Sequence, residues 1–177
     1  MIEVRQAVPG DAPGIGAAHV SSWRSTYPGV LPDGYLAKLS VARQAHFYDR
    51  SIRLGAAVHV AVAQRRIVGF ATGRLTRPNE LGDGEIETLY VIDDFKELGV
   101  GRKLLKAAAS HLANLGCTAC YAWVLRDNPA TFFYERLGGK RAATSLTSVG
   151  GSAIPQTAYT WNPIAKLLEG SYQKPLS

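Results

Sequence analysis

Phe95-Lys96-Glu97-Leu98-Gly99-Val100-Gly101-Arg102 is the stretch on which the reading of this chain turns. It joins a strand expected over residues 85–92 to the strongest helix of the sequence, expected over 99–115. Val100, Leu104, Ala108, Leu112 and Leu115 recur there at helical spacing, and Gly116 is suited to end the helix. Two glycines in the first turn clear side chains from backbone N–H groups that no intrahelical carbonyl can satisfy. The helix dipole makes that end positive, so the turn can receive an anion. A dinucleotide fingerprint would need a third glycine where Leu104 stands, and a P-loop would need Gly-Lys-Ser/Thr, which is absent.

Outward from that junction, Ile2 and Val4 alternate with polar residues in a first strand over 2–8. Pro9-Gly10-Asp11 ends it, and Asp11 opens a helix with Ile15, Ala18 and Ser22 on one face. Residues 27–32 form a Pro/Gly-punctuated loop, and a helical stretch over 32–52 breaks near Ser40. Strands over 57–63 and 67–75 make a hairpin about Gln64-Arg65-Arg66. Beyond the long helix come a strand over 118–125 and a short helix over 128–137, stopped by Gly138-Gly139. Two closing strands follow, over 141–149 and 153–161, around Gly150-Gly151-Ser152. The order predicts an α/β (α+β) architecture, a mixed sheet with helices against it. No composition break divides the chain, so a single domain is expected over 1–162, with a short tail over 163–177.

Composition narrows the function. At 177 residues, 46% hydrophobic and 19% charged, the chain can bury a core and is not disordered. Twenty Lys and Arg against fourteen Asp and Glu give +6, and nine of the basic residues against three acidic ones follow Gly101. Residues 78–94 carry the opposite bias: Glu80, Asp83, Glu85, Glu87, Asp93 and Asp94, with no Lys or Arg. An anionic partner near Arg102 and a cationic one near Glu87 suit this division. The basic residues are spread without Lys/Arg-rich runs or duplex-reading motifs, so no nucleic-acid partner is expected. The longest apolar stretch, over 56–63, is short and holds His59, so no membrane span is expected. Met1-Ile2-Glu3-Val4-Arg5 lacks the apolar run of a secretory signal, and two cysteines cannot frame a disulfide scaffold. A soluble cytoplasmic protein is the expectation, and a homodimer is compatible with it.

Two separated segments then resemble one family. Lys96-Glu97-Leu98-Gly99-Val100-Gly101 is similar to the Gln/Arg-x-x-Gly-x-Gly/Ala pyrophosphate-binding segment of the GNAT superfamily of N-acetyltransferases. Leu89-Tyr90-Val91 looks like its central strand, and residues 128–138 look like its Asn-x-x-Ala-x-x-Phe-Tyr-x-x-x-Gly helix. The likeness runs from Ile2 to about Trp161. Lys96 stands where Arg or Gln is usual, which leaves a backbone cradle intact. Gly139 stands where an aromatic is common, which bears on local packing.

The resemblance implies the GNAT fold, with a mostly antiparallel central sheet, and acetyl-CoA as co-substrate. It implies that the backbone of Leu89, Tyr90 and Val91 pairs with the pantetheine arm and that Asn128 holds the arm from the other side. Lys96, Glu97, Leu98, Gly99, Val100, Gly101 and Arg102 would receive the pyrophosphate. Tyr134 matches the family's acid. Phe132, Phe133 and Tyr134 also advance about 100° each on a helix, so one ring must leave the core face, and the hydroxyl-bearing one is the natural choice. An amine acceptor with a pKa of about 10.4 must lose a proton before it can attack. Glu85, Glu87 and Leu89 share a face under strand alternation; Glu87, nearer the thioester, is the expected base.

Trp23 and Tyr27, four residues apart, could wall a cationic amine beside Glu85. Cys117 and Cys120 have no second pair, and strand alternation would send their thiols to opposite faces. His19, His46, His59 and His111 show no metal-ligand spacing, so no metal is expected. Nothing marks a peptide groove, which favours a small-molecule amine over a protein N-terminus or lysine. A non-catalytic acyl-CoA-binding domain is the rival, since it would keep Gly99 and Gly101 without needing Glu87 or Tyr134.

Overall fold

Val58, Val60 and the small residues between them let the strand Ala57–Ala63 pack on both faces, so it lies inside a sheet rather than at its rim. The structure, a computed structural model, describes residues 1–169. Its strands are Ile2–Gln6 (β1), Ala57–Ala63 (β2), Arg66–Leu75 (β3), Gly84–Val91 (β4), Cys120–Leu125 (β5), Lys140–Val149 (β6) and Ser152–Trp161 (β7). They form one seven-stranded sheet in the order β1-β2-β3-β4-β5-β7-β6. Every neighbouring pair is antiparallel except β4 and β5. That parallel pair needs a crossover, and the helix Val100–Asn114 (α4) supplies it.

On the other face lie Ala12–Thr26 (α1), Asp33–Ala37 (α2) and Val41–Arg53 (α3). The break expected near Ser40 is an N-cap: its hydroxyl accepts from the Arg43 amide at 3.2 Å. A Cβ on Gly16 would lie 2.7 Å from the Ala45 amide nitrogen, so glycine sets how closely α1 approaches α3. In α4 the buried stripe runs through Val100, Leu104, Leu105, Ala108, Ala109 and Leu112. Leu115, expected on that stripe, is exposed, because the helix has ended by then and Gly116 turns away at φ +96°.

Ala130–Arg136 (α5) and Ala165–Glu169 (α6) complete the described chain. The segment expected as a tail thus begins with a helix whose Leu167 is 1% exposed in the main core; residues 170–177 lie outside the described residues. β5 starts at Cys120 rather than at 118, because the Asp83 carboxylate accepts from the Thr118 and Ala119 amides at 3.0 Å each and holds that turn out of the ladder. Cys117 therefore precedes the strand, and alternation says nothing about its face. Both thiols are buried and unpaired, and burial pushes each up to about 12. A second, smaller core joins Tyr27, Leu31 and Leu36 to Leu125, Val149 and Ile154, docking α2 against the β6–β7 hairpin.

Candidate active site

β4 and β5 pair only at Gly84 with Cys120 and Glu85 with Tyr121. Beyond these the strands separate, and a cleft of about 150 Å³ opens between them. On its other edge β4 stays paired with β3, where the register slips: Gly73 faces Ile86 and Thr72 faces Thr88, leaving Glu87 as the extra residue of a bulge.

The bulge reverses the alternation. Ile86 lies beside Gly73 and Leu112 on the α4 face. Tyr90 packs instead on His19, Trp23 and Phe70 beneath α1, which leaves Leu89 and Val91 on the α4 side. The expected common face of Glu85, Glu87 and Leu89 therefore does not exist, because one residue inserted into the strand flips everything after it. Glu85 and Glu87 do stay together: Arg74 reaches Glu85 at 3.2 Å and Glu87 at 3.3 Å. Burial raises the Glu85 carboxyl above its usual range against the pull of Arg74. Glu87 lines the cleft with a side chain 42% exposed, whereas Glu85 is not one of the lining residues.

Trp23, Tyr27, Leu89, Tyr90, Asn128 and Tyr134 line the same cleft. The Trp23 and Tyr27 rings meet edge to face, with centroids 5.1 Å apart. Asn128 is committed twice: its Nδ2 donates to the Tyr27 hydroxyl at 2.8 Å, and its Oδ1 accepts from the Ala130 amide at 2.9 Å in the turn that leads into α5. Burial raises the Tyr27 phenol, with the hydrogen bond from Asn128 opposing it. The ring that leaves the core on α5 is Phe132, 63% exposed, whereas Tyr134 is 5% exposed and packs on Tyr159 and Trp161. The ring-count reasoning thus selects the wrong ring, because the core face of α5 is set by the aromatic floor from β7. Burial holds the Tyr134 phenol well above its ordinary value.

At the mouth of α4, Gly99 is the N-cap at φ +78° and no side chain caps the helix. Lys96, Glu97 and Leu98 are exposed before it, with Glu97 also left-handed at φ +64°. Lys96 has a local partner. Its amide is bonded to the Asp93 carbonyl and its ammonium to the Asp93 carboxylate at 2.8 Å, so neither group is free for an anion as it stands. Asp93 also accepts from the Ser25 hydroxyl on α1. A Cβ on Gly101 would lie 3.3 Å from the Phe133 ring, so this glycine seats the mouth of α4 against α5 and brings the two sequence motifs into contact.

A seven-stranded sheet opened between its parallel pair, with an uncapped helix start just beyond the opening, is a recurring architecture. Residues 20–139 match the acetyltransferase (GNAT) family. This chain belongs to the GNAT family. It is 29% identical over 170 residues to the uncharacterized N-acetyltransferase YuaI of Bacillus subtilis (strain 168), covering 94% of this chain and 96% of that one. A GCN5-related N-acetyltransferase from Rhodopseudomonas palustris superposes with a TM-score of 0.72 at 21% identity, over 90% of this chain and 94% of that one. The yncA acetyltransferase of Salmonella typhimurium, solved with its cofactor acetyl-CoA, superposes with a TM-score of 0.70 at 17% identity, over 99% of both chains.

Within this GNAT fold, sequence reading missed Thr88, Trp123, Val149 and Gln156 as cleft residues, and Arg74 as the partner of both carboxylates. Arg74 was within reach of a register argument, since it stands opposite Glu85 on the β3–β4 pair. Val149 and Gln156 carried no signal, because only the docking of the hairpin on α2 brings them over the cleft. Among the described residues no helix is long and apolar enough to cross a membrane.

Proposed function

We propose that this GNAT acetyltransferase moves an acetyl group from acetyl-CoA to a primary amine of a small molecule, by direct attack with both substrates bound. The observation that carries this reading is the opening between β4 and β5, lined by the Glu87 carboxylate on one strand and the Tyr134 phenol on α5. Acetyl-CoA supplies the thioester carbon that the amine attacks. The residues present fit it. The β5-facing backbone edge of Leu89, Tyr90 and Val91 lies beyond the last β4–β5 ladder pair and is suited to the pantetheine amides. The amides from Leu98 to Arg102, at a helix start without a side-chain cap, suit the diphosphate. Asn128 holds the wall opposite through Tyr27.

Glu87 takes the proton of the ammonium, directly or through water, since an amine with a pKa of about 10.4 is protonated at neutral pH. Arg74 fixes the orientation of that carboxylate. A main-chain N–H at Leu89 or Tyr90 donates to the carbonyl oxygen as it gains charge. The C–N bond forms, the C–S bond breaks, and the departing thiolate takes the proton that burial keeps on Tyr134; the second proton of the attacking nitrogen passes, directly or through water, to the Tyr134 phenolate and leaves a neutral amide. Support for a small acceptor comes from the roof. Val149 and Gln156 of the β6–β7 hairpin line the same cleft as Trp23 and Tyr27, and a Cβ on Gly150 at the hairpin tip would meet Tyr35 at 3.0 Å. Two unpaired buried thiols suit a reducing compartment such as the cytoplasm.

A panel of small amines, peptides and proteins, each assayed with acetyl-CoA by free-thiol release, tests the reading. Turnover with a small amine is the expected result. Turnover confined to peptides or proteins would move the acceptor to that class, and tight acetyl-CoA binding without any turnover would favour a non-catalytic domain.

A further inference from the structure

We propose that His59 on β2 and His111 in the last turn of α4 form a binding site for a divalent transition-metal ion of the kind imidazole favours: zinc, copper or nickel. His59 is 8% exposed, and its Nδ1 is buried without a hydrogen-bond partner. A ring nitrogen in that state is an uncommon cost, and a bound ion is one way to satisfy it. The His111 ring lies across it, with centroids 5.4 Å apart and planes at 84°. Two imidazoles sharing one tetrahedral ion through bonds of about 2.0–2.1 Å have ring centres roughly 5 Å apart, so the two rings already stand close to the needed separation.

Space and charge agree. A cavity of about 340 Å³ is lined by both histidines together with Ser110 and Asn114, which lie within one turn of His111 on the same helix. Among the described residues no Lys or Arg lines it. The last turn of α4 presents the negative end of its dipole, which favours a cation and disfavours an anion. Among the described residues no group of three or more His, Cys, Asp or Glu is placed to hold a metal. The site would therefore have two imidazoles, with water or the Ser110 and Asn114 oxygens completing the shell, and nitrogen donors of this kind suit zinc, copper and nickel. Sequence spacing is silent on it because the two histidines come from a strand and a helix that meet only in the fold. Occupancy would tie β2 to α4 and stabilise the folded chain by mass action.

The test uses the full chain without an affinity tag. Calorimetric titration with zinc should show one saturable site and raise the Tm, and one equivalent of copper(II) should give an electron paramagnetic resonance spectrum with two imidazole nitrogens. His111→Ala, at a half-buried position, should weaken zinc binding by at least about tenfold and leave one nitrogen in the copper spectrum. His59→Gln should do the same, and His46→Ala should change neither reading. Undiminished affinity in His111→Ala, or no saturable zinc binding to the unmutated chain up to about 100 μM, where occupancy could no longer stabilise the fold appreciably, would overturn the proposal. Should His59→Gln fail to fold, the His111 variant and the nitrogen count of the unmutated chain still decide.

Discussion

The two halves of β4 are built on different terms. At Gly84 and Glu85 the strand pairs with β5 as well as β3, and Gly84 and Ile86 face the core: a Cβ on Gly84 would lie 2.6 Å from Cys117 Sγ, and Ile86 is fully buried. From Glu87 to Val91 it keeps β3 alone, and the edge turned toward β5 faces the cleft. The closed half is held by ladder bonds and packing on both sides. The open half is held from behind by a layer of rings, with Tyr90 against His19, Trp23 and Phe70. A single bulge at Glu87 separates the two regimes, and the difference predicts where a substitution affects chemistry and where it affects folding.

The largest effect is expected at the boundary. Glu87→Gln should lower kcat by about a hundredfold, within the span usual for a general base. Its thermal stability should stay close to that of the unmutated chain, since the side chain is half exposed and its ion pair with Arg74 is a surface one. Stopped-flow or steady-state rates together with a melting curve separate the two, and an unchanged kcat where chemistry limits the rate would remove Glu87 from proton transfer. Next in size is Tyr134→Phe. The ring keeps its place on Trp161 and Tyr159, so acetyl-CoA affinity should hold while kcat falls about tenfold, the lower side of acid–base contributions. A fall in affinity with kcat intact would make Tyr134 part of the cleft wall rather than a proton donor.

How far the sequence anticipates this division differs between the halves. The strands, the long helix and its glycine-led start follow from periodicity and turn residues, because those are local properties of ten or fifteen positions. The bulge is not local. It arises where β3 and β4 disagree in register by one residue, and nothing between Gly84 and Val91 marks it, so strict alternation assigns Leu89 to the wrong face. Tyr134 shows a similar limit. Three consecutive aromatics require one to face outward, but the outward one is decided by Trp161 and Tyr159 arriving from β7, twenty-five residues or more along the chain. Lys96 reads as an anion ligand by its position, yet Asp93, three residues earlier, takes its charge. The bulge and the choice of outward ring are set by tertiary docking, whereas the Lys96–Asp93 pair is local; the family-bearing segments are contiguous and survive.

In the closed half the expected change is in folding. Gly84→Ala would press its Cβ onto Cys117 Sγ in a region paired on both sides, a clash that should cost about 1–3 kcal/mol. A lower Tm with unchanged kcat at low temperature is the expected pattern. A loss of kcat at full folding would mean that the two halves are mechanically coupled and that the bulge does not insulate the cleft.

The smallest effect probes the layer of rings behind the open half. His19 stacks on Trp23, meets Tyr90 edge-on and bonds through Nδ1 with the Tyr48 hydroxyl at 2.9 Å. Burial lowers its pKa to about 4, from 6.5 in the unfolded chain. A depressed value means that the unfolded chain binds the proton more readily. The folded state is therefore at full strength above pH 6.5 and weakens as the pH falls toward 4. Between pH 7 and 5.5 the loss should be about 1 kcal/mol. Carboxylates held low, such as Asp11 and Asp83, act only at more acidic pH, but His59, also depressed by burial, contributes with the same sign. The informative quantity is thus the difference in urea-unfolding free energy between the unmutated chain and His19→Gln across that range. The variant should show the shallower slope. Equal slopes would mean that the rings behind Tyr90 admit water, and that the open half of β4 is held by its β3 ladder alone.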